Sequence, residues 1–230
     1  MKNYLSNLNG NILKTLRIVG EEADRRQMSA YVVGGFVRDV VLNRDNHDLD
    51  ISVEGDAILL SEVLAKKWKT RRTVHKQFGT ACLKLSQGIG VDLAKARREH
   101  YKHPGALPTV QAGNLEEDLF RRDFTINAMA IVINSNHFGC LINKFQGLED
   151  LSAKKIRVLH DQSFIDDPTR ILRAVRFAQR FSFQIERKTL ALMKSALQKK
   201  VEENVKRPRY FSEFKKILNE RDPVNSLKQL

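Results

Sequence analysis

Cysteine is scarce in this chain: Cys82 and Cys140 are its only two, far apart and outside any CxxC pair. That excludes a disulfide framework and a cysteine zinc site, and it fits a reducing, cytoplasmic setting. Long apolar runs are missing too. No window approaches the roughly 20 apolar residues of a membrane span, and the opening stretch MKNYLSNLNGNILKTLRIVG lacks the uninterrupted apolar core of a secretory leader. Neither secretion nor a membrane-spanning role is expected. Acidic residues are outnumbered, 27 Asp and Glu against 40 Lys and Arg, a formal net charge of +13. Such an excess favours a polyanionic partner, nucleic acid or nucleotide ahead of a membrane surface.

What remains is ample for folding. The 230 residues are 42% hydrophobic, enough for one or two cores. Residues 11 to 28 have helical spacing, with Ile12, Leu16 and Val19 on one side. AYVVGG reads as a buried strand ended by glycine, FVRDVVLN as a short helix, and HDLDISVEG as an alternating strand. A helix follows at about 57 to 68, then the basic segment KKWKTRR and strands ACLKLS and GVDLAKAR. AGNLEEDLFRRDFTINAMAIVI predicts a helix entering a strand, and LEDLSAKKIRVL a turn and a short strand. From Asp166 onward the pattern is wholly helical, which gives a mixed α/β front and an all-helical rear with the shift near residue 150.

The stretch YVVGGFVRDVVLNRDNHDLDISVEGD concentrates the chemistry. Asp48 and Asp50 stand at i and i+2 on one strand, on one face and about 7 Å apart at the backbone. Two such carboxylates suit Mg²⁺, which takes one or two of them and fills its octahedron with substrate phosphates. Alone, the pair fits the solvated face of an edge strand better than it does a metal site. Gly34 and Gly35, upstream, end a strand and open a helix, so their backbone N–H groups suit a triphosphate, with Arg38 one turn on. A nucleotide with its metal accounts for both features. Asp92, in GVDLAKARREHY, is a third strand carboxylate, open to three readings: metal ligand, base for an attacking hydroxyl, or surface residue.

In IDDPTRILRAVRFAQRF, Asp167 is placed as an N-cap with Pro168 at the first helical position. Ile171, Leu172, Val175 and Ala178 share one face, and Arg170, Arg173, Arg176 and Arg180 form a presented stripe opposite. Arginine at all four positions suits planar hydrogen bonding to bases or phosphates. Asp167 and Arg170, one turn apart, offer an acceptor and a donor to a base edge. In RRDFTINAMA, Arg121 and Arg122 are placed to reach phosphates, Asn127 to orient a sugar or loop, and Phe124, Ile126 and Met129 in the core.

VVGGFVRDVVL with HDLDISV, RRDFTINAMA, DDPTRILRAVRFAQRF and a weaker RPRYFSEFKKIL follow in the order and spacing of a known family. Over roughly residues 30 to 220 the chain resembles the class II tRNA nucleotidyltransferases and bacterial poly(A) polymerases. The resemblance implies an α+β protein: a polymerase β-type nucleotidyltransferase head, residues 1–150, with a mixed sheet backed by helices, and an all-helical neck, 151–230. By that likeness Asp48 and Asp50 hold Mg²⁺; Asp92 stays, from the residues alone, a candidate third catalytic carboxylate. By the same likeness Gly35, Arg38 and Arg122 bind the triphosphate, joined by Gly34 from the reading of the turn. Asp167 and Arg170 read the base of CTP or ATP, with Arg173 and Arg176 in the same pocket. The implied reaction adds C, A or both to the 3′ end of tRNA and releases pyrophosphate; poly(A) addition to general RNA, a nucleotide hydrolase and a non-catalytic basic RNA-binding module are the alternatives. REHYKHPGALPTV resembles a head-domain loop of members that divide CC and A addition between two enzymes. Asp166 stands where many members carry Glu, and the body and tail domains that follow the neck in the family are expected to be absent.

Overall fold

The structure, a computed structural model, describes residues 2–228. Two compact units divide the chain: one takes the residues up to Arg98, Val110–Arg122 and Asn127–Leu148, the other Glu99–Thr109, Asp123–Ile126 and the residues from Glu149 on.

The first unit opens with α1 (Gly10–Asp24), whose first turn is capped by the Asn9 side chain accepting from the Asn11 N–H. Expected to reach residue 28, α1 stops earlier because the Arg26 and Met28 N–H groups both turn back to the Ala23 carbonyl. β1 (Ser29–Val33), α2 (Gly35–Val41), β2 (Asp48–Glu54) and α3 (Ala57–Trp68) follow, and Asp56 caps α3 by accepting from the Ile58 and Leu59 N–H groups. β3 (Arg72–His75), β4 (Thr80–Lys84) and β5 (Gly90–Lys95) come next, β3 starting at the last residue of the basic segment KKWKTRR and running on through residues the sequence reading left unassigned. β6 (Arg97–His100) and β7 (Thr109–Ala112) pair as a two-stranded ribbon. α4 (Leu115–Phe120), β8 (Ala130–Val132) and β9 (Leu141–Ile142) complete the unit.

Its mixed sheet has the order β3-β4-β5-β2-β1-β8-β9. β2 and β5 run parallel, and the other neighbours antiparallel. Leu49, Ile51 and Val53 of β2 and Val91 and Leu93 of β5 are buried with Leu16, Val19, Leu60 and Leu64 of the helices. That alternation leaves the opposite face of β2 and β5 for polar groups. Gly20 fits α1 closely to the sheet: a Cβ there would stand 1.8 Å from the Ile133 carbonyl oxygen.

α5 (Gly147–Ser152) leads along the chain into the second unit, with β10 (Lys155–Ile156), α6 (Ser163–Asp166), α7 (Thr169–Phe181), β11 (Gln184–Ile185), α8 (Arg187–Gln198), α9 (Arg207–Leu218) and α10 (Pro223–Leu227). β10 and β11 form a short parallel pair among these helices. Phe124, Ile126, Phe164, Ile171, Leu172 and Val175 are buried in this unit. Among the described residues no helix is long and apolar enough to cross a membrane.

Candidate active site

Asp48 and Asp50 are exposed on β2 while Leu49 and Ile51 between and beyond them are buried. In the parallel register Asp50 lies opposite Asp92 of β5, and Asp92 lies opposite Cys82 of β4. Residues in register share a face, so the three carboxylates gather on one side of the sheet. Asp48 pairs with Gly90, where a Cβ would come within 3.3 Å of the Asp48 Oδ1. Glycine there leaves the carboxylate room.

Loss of water raises the Asp50 carboxyl; the Arg122 charge opposes that rise, and Asp92 and Asp48 reinforce it. The Cys82 thiol hydrogen-bonds Asp92, and with burial this pushes it up to about 11, so it is neutral. Among the described residues no three His, Cys, Asp or Glu side chains converge tightly enough to hold a metal by themselves. A pair of hard, mutually repelling carboxylates that needs further oxygens from a substrate is the donor set Mg²⁺ favours. The residues fit such an ion.

Gly34 sits in the left-handed region at φ 71° between β1 and α2. A Cβ on it would fall 2.6 Å from the Arg122 Nη1 and 3.8 Å from the Asp50 Oδ2. The turn, the arginine and the carboxylate therefore meet at one point, and only glycine leaves it open. α4 delivers Arg122. Asn114 and Glu117 form a capping box at its start, and the Leu115 N–H donates to Glu54 at the end of β2. At its C-terminal end Asp118 accepts from Arg121 and Arg122 at 2.8 and 3.0 Å. Arg122 Nε is buried with no partner among the described residues, a spare donor beside the turn. Arg38 is 5% exposed and lies against Gly35. Its Nε and Nη2 donate to Asp39 at 2.9 and 2.8 Å, and its Nη1 to Asn127 at 2.7 Å. Sequence reasoning named Arg38 but not the Asp39 that holds it.

In the second unit Asp167 accepts from the Thr169 N–H and hydroxyl, as a cap would, although Pro168 takes the N-cap position. It also pairs with Arg209 of α9 at 3.1 Å. Arg170 is buried and donates to the Ser163 hydroxyl at 2.6 Å. The expectation of an outward arginine stripe is corrected here. Arg170 and Arg176 are buried, and Arg173 is held by Asp123 and Glu213, Arg176 by Glu213 and Glu220, and Arg180 by Glu220. Those carboxylates lie far off in sequence, so the helical wheel of α7 cannot show them. A cavity of about 430 Å³ is lined by Asp167, Thr169, Arg173, Arg209, Ser212 and Glu213, while Arg170 and Arg176 lie outside its lining. Arg209 and Glu213 were missed; their signal was the four-residue spacing within RPRYFSEF, two charges on one helical face.

Burial first, then the Arg170 charge, holds His160 below the ordinary imidazole range, and burial raises its neighbour Asp166.

Among similar proteins, the A-adding tRNA nucleotidyltransferase of Geobacter sulfurreducens is 46% identical over 92% of this chain and 24% of its own length. That of Halalkalibacterium halodurans is 41% identical over 95% of this chain and 52% of its own. The solved structure of the Thermotoga maritima CCA-adding enzyme complexed with tRNA superposes with a TM-score of 0.86 at 42% identity, covering 98% of this chain and 52% of that one. The chain thus spans about half, or less, of the length of the proteins it matches. Residues 30–157, which carry the glycine turn, the three aspartates and Arg122, match the poly A polymerase head domain, and the chain belongs to that family.

Proposed function

We propose that this chain is the catalytic head and nucleotide-recognising neck of a template-independent nucleotidyltransferase that adds C, A or both to the 3′ end of tRNA. The observation that carries the reading is the convergence of Asp50, Gly34 and Arg122 beside Asp48 and Asp92. The relatives' names and the tRNA complex of the Thermotoga maritima enzyme support the substrate. The Gly34–Gly35 turn and Arg122 take the triphosphate, with Arg38 supporting the turn by its charge. Asp167, with Arg173 and Arg209 on the same cavity, reads the base, and buried Arg170 supports that turn through Ser163. The RNA 3′-hydroxyl oxygen bonds to the α-phosphorus, the bond to the bridging oxygen breaks, and pyrophosphate leaves. Asp92 accepts the hydroxyl proton. Asp48 and Asp50 would hold Mg²⁺, and the ion would supply charge stabilisation to the reacting phosphate. A cytoplasmic location goes with that substrate in this reading.

A second reading, poly(A) addition to general RNA, is favoured by the name of the matching family domain. The test is incorporation of labelled CTP and ATP into tRNA ending before, within and after CC, and into an unrelated RNA. Addition confined to tRNA supports the first reading, and A tails on any RNA support the second. Asp48→Ala is expected to reduce incorporation to background with an unchanged far-ultraviolet circular dichroism spectrum; retained incorporation refutes the assignment.

A further inference from the structure

Between the glycine turn and the aspartate strand runs a line of hydrogen bonds that the reaction as described does not use. Asp39, 8% exposed, gives its Oδ1 to Arg38. Its other oxygen, Oδ2, accepts from the Asn46 Nδ2 at 2.9 Å. Asn46 in turn accepts, on Oδ1, the backbone N–H of Asp48 at 2.9 Å. The loop is tied at two further points: the Arg44 N–H donates to the Asp39 carbonyl, and the Gly90 N–H donates to the His47 carbonyl at the start of β5. One side-chain amide therefore joins the helix under the glycine turn to the first residue of the strand that bears the carboxylates. An Asx turn that only closed its own loop would leave Nδ2 in water. Here Nδ2 is spent on a buried carboxylate already committed to the arginine.

We propose that Asp39 and Asn46 are positioning residues that lock Asp48 to the Arg38 anchor, so that metal placement and the triphosphate turn are set as one unit. This rests on the functional reading above. Neither residue is assigned contact with nucleotide, metal or RNA. Their effect passes through Asp48 and Arg38, as an outer hydrogen-bond partner fixes a metal ligand.

The test uses Mn²⁺ alone, titrated by electron paramagnetic resonance without nucleotide, and ATP alone, titrated in EDTA, each against the full chain. Asn46→Ala is expected to weaken Mn²⁺ binding about 10-fold, the scale on which outer partners of metal ligands act. ATP binding in EDTA stays within two-fold, because Asp39 still holds Arg38. Asn46→Ser separates the link from the local turn: the serine hydroxyl still accepts the Asp48 N–H but is too short to reach Asp39. It is expected to lose Mn²⁺ affinity as alanine does. Asp39→Asn combined with Asn46→Ala is expected to bind Mn²⁺ no worse than Asp39→Asn alone, the non-additivity of residues in one chain of bonds. A serine variant with wild-type Mn²⁺ affinity would overturn the proposal, since the turn alone would then suffice. So would an unaltered alanine variant, or additive losses. If the unaltered protein binds neither Mn²⁺ nor ATP, the functional reading itself fails.

Discussion

Asp118 is 1% exposed, and its two arginines lie along the edge of the site. Burial pushes its carboxyl up, but the Arg122 and Arg121 guanidinium groups outweigh burial and hold it below the ordinary range. A carboxyl depressed on folding contributes stability above its unfolded value, about 3.9, and loses that contribution as pH falls through the folded value. Asp118→Ala is expected to cost about 3 kcal/mol at neutral pH, the usual scale for removing one partner of a buried pair. The gap between variant and parent should narrow below about pH 4, as thermal melts across pH would record. A constant gap would show that packing, not charge, is what alanine removes. The aspartates of β2 were legible from the sequence because strand alternation alone fixes their common face. The hold of Asp118 on Arg122 was not, because the i and i+4 spacing showed a pair but not which arginine side chain would reach back over the glycine turn.

Among the elements, α7 departs furthest from its sequence reading. Its apolar face is where the spacing of Ile171, Leu172 and Val175 puts it. Its arginines instead engage carboxylates that the sequence holds 40 to 50 residues away. Glu213 on α9 is the shared partner: Arg173 and Lys216 approach one of its oxygens at 3.4 and 2.5 Å, and Arg176 the other at 3.7 Å. Glu213→Ala should lower stability by about 3 kcal/mol, since it removes the buried carboxylate that Arg173, Arg176 and Lys216 share. Glu203→Ala, whose Lys200 partner is 74% exposed, should cost less than about 1 kcal/mol. Chemical denaturation of the two variants checks the order, and equal losses would refute it. The segment KKWKTRR teaches the converse lesson. Its last residue, Arg72, opens β3, whose exposed Thr73 and His75 alternate with half-buried Arg72 and Val74 at the sheet edge. Edge strands are often charged, so composition there speaks against a strand that pairing nevertheless forms.

For the whole molecule, the net charge of +13 bears on how the proposed RNA substrate would be held. Counterion release makes such binding fall steeply with salt. Raising salt from 50 to 200 mM should weaken binding about 10-fold if only two phosphates are engaged, and more if others are. Fluorescence anisotropy of labelled RNA measures the slope, and a flat response would place the affinity in bases or shape. The head's sheet has a different consequence, which belongs to synthesis. β5 is made after β2 and β4 yet lies between them. Asp50 therefore cannot meet Asp92 until a strand some forty residues later has threaded into the middle of the sheet. A growing chain or a half-folded one can show helices and hairpins and still lack a working surface. The face that gathers these carboxylates is complete only once β5 has inserted, and Arg122 of the same site is made later still.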